Sequence, residues 1–73
     1  MCARYIVVAD YAHDRVSQFT LKGVLVRHIA TAAQGLRCPS DVVECEDGFI
    51  VANYGANNLI KVTGSTSTVL GEC

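Results

Sequence analysis

Residues 5–29 read YIVVADYAHDRVSQFTLKGVLVRHI, and how this stretch is interpreted decides the fold. Tyr5 to Ala9 is a compact β-branched run ending at Asp10, the mouth of a polar turn through Ala12, His13 and Asp14. Arg15 to Thr20 continues as a second strand, with Val16 and Gln18 on one face and Ser17 and Phe19 on the other. Lys22 and Gly23 mark a tight reversal before a third run, Val24 to Ile29. Three short antiparallel strands are expected. Half of the stretch then recurs, because a shift of 43 residues lays VADYAHDRVSQFT over VANYGANNLIKVT. Val8, Ala9, Tyr11 and Thr20 return as Val51, Ala52, Tyr54 and Thr63, while Asp10 and Val16 return as the related Asn53 and Leu59.

Between the copies, ATAAQGLRCPSD allows one helical turn over Ala30 to Gln34, but Gly35, Pro39 and Ser40 forbid a long helix. Asp41 to Cys45, DVVEC, is short with consecutive valines and reads as a strand buried on both faces. Glu46, Asp47 and Gly48 form a hairpin turn in which Gly48 is expected to supply a positive φ. Phe49 to Ala52 is the next strand, and Asn53 to Asn57 is a turn of residues that tolerate the left-handed region. Asn58 to Thr63 follows as a strand, and Thr68 to Leu70 as a last one ended by Gly71. The tally is three strands, a link and four strands. A repeat of roughly 40 to 50 residues made of four short strands is the pattern of a propeller blade. The expected fold is therefore all-β, with propeller blades of four-stranded antiparallel sheet in an incomplete ring. Residues 1–29 would supply the outer three strands of one blade, 30–38 the inter-blade link and 39–73 the second blade.

Composition narrows the function. The chain has 73 residues, 51% hydrophobic and only 18% charged, so its strand faces suit contact with neighbours better than contact with water. Its net charge is -1, and its six basic residues are spread without a run, which leaves no stripe to neutralise phosphates, and no nucleic-acid partner is expected. Glu44, Glu46 and Asp47 read as a solvated turn. Cys2, Cys38, Cys45 and Cys73 allow three pairings if oxidised, but no CxxC spacing suits zinc. Met1 is followed by no apolar run of secretory length, so reduced thiols in a reducing intracellular compartment are the expectation. No segment is long and apolar enough to span a bilayer as a helix. Ser17, Ser40, Ser65 and Ser67 lack the G-x-S-x-G setting, and no glycine-rich phosphate cradle opens a helix. Neither catalytic residues nor a cofactor is assigned.

Tyr11 and Tyr54 occupy the same place in both copies, where they either line one exposed rim as partner contacts or pack over their turns. His13 and Arg15 lie beside Tyr11 and are candidates for the same rim. Asp10 and Arg15 flank one short turn and can close it with a charge-assisted hydrogen bond. Asp10, Gly23, Asp47, Gly48 and Asn53 are the expected structural turn residues.

Pro39 to Val43, then Asp47 to Asn53, resemble the start of an NHL-type propeller repeat. The first copy keeps the family's V-A-D ending as Val8, Ala9 and Asp10, followed by Arg15 and Val16 where the family has R-I. The second copy departs from it with Asn53 and Asn58 in place of the aspartate and the arginine. The resemblance implies a non-catalytic structural or protein-interaction module within a larger protein or assembly, its partner being chains or blades that complete the propeller. It also implies two alternatives: a metal-dependent lyase or lactone hydrolase fragment drawing on Asp41, Glu44 and His13, and an RNA-binding propeller.

Overall fold

The computed structural model describes residues 5–64 and 66–72. β1 (Tyr5–Asp10), β2 (Arg15–Thr20) and β3 (Leu25–Ala30) form one antiparallel sheet in chain order, and β4 (Pro39–Cys45), β5 (Gly48–Asn53), β6 (Asn58–Thr63) and β7 (Thr66–Glu72) form a second. The β1–β2 and β5–β6 connections are single 3-10 turns, Tyr11–His13 and Tyr54–Ala56, each ended by a left-handed residue, Asp14 at φ 54 and Asn57 at φ 57. Asp and Asn reach that region at little cost, which is why the turns stop there.

The two sheets share one core, and their closest approach is between β1 and β4. In the four-stranded sheet Phe49 pairs with Val62 and Val51 with Ile60, and all four side chains are buried. Strand alternation puts Val7, Ala9 and Val16 on one face of the three-stranded sheet; Val16 is fully buried and Val7 packs against the same cluster, so this face meets Phe49, Val51, Ile60 and Val62. Ile29, Ala30 and the link residue Leu36 complete the core. A buried Val, Leu, Ile or Phe contributes about 1.5–3 kcal/mol. The link is ordered by a capping box, in which the Thr31 hydroxyl accepts from Ala33 and the Gln34 side chain accepts from the Thr31 N–H. The Ser67 hydroxyl donates to the Gln34 carbonyl and ties the link to β7.

The expectation of propeller blades is overturned. The sheets are two separate, open antiparallel meanders of three and four strands, neither closed nor curled into a ring. The reason is physical: meander order is what any run of hairpins adopts, and a 43-residue repeat requires only that the second set copies the first. Two such sheets cover their inner faces by packing once on each other, without a ring. The incomplete-ring reading, and with it a partner that supplies missing blades, falls.

Smaller differences follow from pairing. β4 is an edge strand whose ladder partner is β5, and Val43 is 63% exposed, so DVVEC is not buried on both faces. The buried Pro39, whose ring cannot donate to a ladder, opens this edge strand. β7 runs past Gly71 to Glu72, and it absorbs an extra residue where Leu59 pairs with Gly71 but Ile60 pairs with Val69.

Gly48 is not needed for a positive φ. The residues of positive φ among those described are Asp14, Gly23, Gly35, Cys38, Asn57 and Gly64. Gly48 is required instead by close approach, because a Cβ there would fall on the Val62 carbonyl of β6. Gly48→Val should therefore lower stability by about 1–3 kcal/mol, read as a lower urea midpoint, whereas Gly71→Ala, which meets open space, should stay within about 0.5 kcal/mol. Equal midpoints for the two variants would show that the β5–β6 contact does not exclude a side chain.

Candidate functional site

The two 3-10 turns lie side by side at one end of the sheets. Tyr11 and Tyr54, each the first residue of its turn, meet with ring centroids 6.3 Å apart and planes tilted by 33°. They remain 52% and 62% exposed, so the pair covers its turns without being sealed by them. Gly23 and Asp47 sit in the β2–β3 and β4–β5 turns and Gly48 opens β5, all at the far ends of the strands from the tyrosines. Gly23 takes φ +86 in a reversal where the Thr20 hydroxyl accepts from the Val24 and Lys22 amides. Asp47 pairs with Lys61 at 3.1 Å, and that hydrogen bond, then the lysine's charge, holds its carboxyl below the usual range.

On the first turn Asp10 accepts from His13 Nδ1 at 3.0 Å and from Arg15 Nε at 3.4 Å. The His13 hydrogen bond leads, with the charges of His13 and Arg15 behind it, in holding the Asp10 carboxyl below its ordinary value. His13, Arg15 and Asp10 thus form one polar cluster beside Tyr11, with His13 largely exposed.

The second turn replaces this cluster with amides. Asn53, which aligns with Asp10, is fully buried and has no charged partner. Its Oδ1 accepts from the Arg37 amide at 2.7 Å, and its Nδ2 donates to the Gly35 carbonyl and to Asn58 Oδ1, both at 3.0 Å. Asn58 aligns with Arg15, so the crossing from the start to the end of the turn persists while its charge is lost.

The link runs between the turns and is tied to both. The Arg37 carbonyl accepts from the Gly55 amide at 2.8 Å, and the Cys38 amide donates to Asp14 Oδ1 at 2.8 Å. A Cβ on Gly55 would strike Arg37. Cys38 takes a left-handed φ of 49 and carries a free thiol. The Cys38 sulfur beside it holds the Tyr11 phenol above its ordinary value, chiefly through charge and then through a hydrogen bond. Cys45 is likewise free, while Cys2 and Cys73 lie outside the described residues.

Sequence reasoning named the tyrosines, Asp10, His13, Arg15 and Asn53 but missed Gly35, Arg37, Cys38 and Gly55. One signal was there: Gly55 aligns with Ala12, and the loss of a side chain in the second copy marks where the link presses on the turn.

Other chemistries do not assemble. Asp41, Glu44 and His13 do not converge, and among the described residues no three His, Cys, Asp or Glu side chains gather to hold a metal ion. This overturns the metal-dependent enzyme reading. His28 shares a 2.9 Å hydrogen bond with Ser17, but Ser17 is buried and its hydroxyl is not offered to a substrate. The RNA-binding reading falls as well, because the exposed aromatics found together are one tilted pair on a turn and not a stacking platform along a basic groove. No family model, curated protein or solved structure matches this chain. The NHL-type resemblance is corrected accordingly. What stands is a small all-β domain of two antiparallel sheets.

Two outcomes follow from the turn chemistry. Asn53→Ala strands the Arg37 amide and the Gly35 carbonyl and should cost about 1–3 kcal/mol in chemical denaturation; an unchanged midpoint would mean that water replaces the amide. His13→Ala removes the leading stabiliser of the Asp10 carboxylate, so the Asp10 pKa should rise toward the ordinary aspartate value in a carboxyl-carbon NMR titration. A lowered carboxylate pKa adds stability that is present above the unfolded value and lost as pH falls through the folded one, so the variant should lose this contribution over a narrower acid range. An Asp10 pKa unmoved by the substitution would show that Arg15 alone sets it.

Proposed function

We propose that this chain is a recognition domain whose contact surface is the turn end bearing Tyr11, His13, Arg15 and Tyr54, and whose ligand is a short polypeptide segment. The observation that carries the proposal is the tyrosine pair, half-exposed on two turns that the link holds in place. Tyrosine gives large contact area at small entropic cost, and a fixed pair loses less freedom on binding than two mobile rings. The rim around the pair supplies a guanidinium, an imidazole and a carboxylate, which suit the mixed donors and acceptors of a peptide backbone. The surface is open, so affinity rests on these anchors and not on enclosure. The partner is not a chain that completes a ring.

The test pans a random twelve-residue peptide library on the wild-type chain and measures the enriched peptides by fluorescence anisotropy. Tyr54→Ala and Tyr11→Ala should each weaken binding by at least about tenfold while the far-ultraviolet circular dichroism is unchanged. No enrichment over the bare support, or peptides that bind both variants as tightly as wild type, would overturn the assignment.

A further inference from the structure

The surface away from the turns carries a second message. More large apolar side chains are exposed than lie in the core among the described residues, and several of them form two sheet faces. On the outer face of the three-stranded sheet stand Ile6 and Val8, with Phe19 paired to Ile6 on one side and to the exposed Leu25 on the other. On the outer face of the four-stranded sheet Val43 pairs with Ile50 and Ala52 with Leu59, with Val43 and Leu59 exposed.

The internal repeat says what these faces fit. The 43-residue shift carries Ile6, Val8 and Phe19 onto Phe49, Val51 and Val62, so the uncovered outer face of the first sheet corresponds to the buried inner face of the second. It also carries Val7, Ala9 and Val16 onto Ile50, Ala52 and Leu59, so the uncovered outer face of the second sheet corresponds to the inner face of the first. Inside the chain those two kinds of face already pack on each other. The outer pair is the same combination, left open at opposite sides of one molecule.

We propose that copies of this chain associate head to tail, the Val43, Ile50 and Leu59 face of one copy seated on the Ile6, Val8 and Phe19 face of the next. The occupant is a second copy because the chain itself contains both halves of the contact, in a packing it already uses. Two charged residues share this outer face: Lys61, opposite Ile50, is paired with Asp47, and Asp41, opposite Ala52 toward the turn end, is exposed and accepts from the Val42 amide. A standard interface takes about 800 Å² from each partner, a modest share of the 4804 Å² this chain exposes. Such a contact is heterologous, with different surfaces meeting on the two copies.

That asymmetry supplies the test. Val8→Glu blocks the first face, and Leu59→Glu blocks the second; both sites are exposed, and circular dichroism checks that each variant is folded. By light scattering over a dilution series, wild type should exceed the monomer mass, each variant alone should be a monomer, and a mixture of the two should form a one-to-one dimer through its two intact faces. A monomeric wild type, a variant that keeps the wild-type mass, or a mixture that stays monomeric would each overturn the proposal. Ile6→Glu and Val43→Glu repeat the experiment should either first variant fail to fold.

Discussion

The arrangement of the turn end depends on one buried amide. Asn53 is fully buried and satisfies its side chain with two backbone groups of the link and with Asn58. A polar group in that position costs little when every bond is made and much when one is lost. The link must cross from the end of β3 to the edge of the second sheet, and it has its own short turn, Ala32–Gln34, but no ladder to hold it beyond that. The Asn53 side chain supplies the missing partners. With Gly35 and Arg37 fixed, Leu36 between them enters the core, the Gly55 amide donates to the Arg37 carbonyl, and the Cys38 amide donates to Asp14 on the other turn.

The two copies of the turn separate geometry from chemistry. Asp10 and Asn53 enter their turns with nearly the same backbone, φ and ψ of -91 and 87 against -92 and 78, and Asp14 and Asn57 leave them at 54 and 45 against 57 and 41. The side chains at those entries do different work. Asp10 is part-exposed and holds the His13 imidazole and the Arg15 guanidinium at the rim, whereas Asn53 is sealed under the link and holds backbone. A carboxylate in the second position would face the Gly35 carbonyl and Asn58 Oδ1 with no proton to offer either. The loss of aspartate and arginine from the second copy is therefore the condition for the link to pass over it, not a decay of the repeat.

Most strand positions were legible because short β-branched runs between Gly, Asp and Asn punctuation leave few alternatives: the runs at Tyr5, Arg15 and Asn58 start where the strands do. The burial of those strands was less legible. Val42 and Val43 are adjacent and apolar whether a strand is central or at an edge, and composition does not record how many neighbours a strand has. The same ambiguity misled the architecture, since a two-copy meander reads alike whether its sheets close a ring or simply pack together. At the candidate site, tyrosines at matching repeat positions were visible as a pattern, and the polar cluster around Asp10 was visible as proximity along the chain. The link contacts were not, because Arg37 and Asn53 are distant in sequence and no local rule joins a backbone amide to a side chain across that gap.

The open faces and the tyrosine rim follow from one constraint. β1 carries Ile6, Val7 and Val8 in succession, so both faces of its sheet are apolar, and a chain with two sheets can cover one face of each. Whatever covers the others by repeating the internal packing also repeats the geometry of the turn end. Inside the chain that packing sets Tyr11 beside Tyr54. Between copies in the head-to-tail contact, the same relation sets Tyr54 of one beside Tyr11 of the next, so the pair becomes a continuous row and the recognition surface lengthens with each copy added. A single rim pair offers a peptide two anchors on an open surface, which is little to set against the cost of ordering it. Association through the apolar faces would lower that cost by presenting several pairs at once, with affinity rising through effective concentration instead of through new contacts. In that arrangement the apolar faces set how many tyrosine pairs are offered, and the link bonded to Asn53 sets how rigidly each one is held.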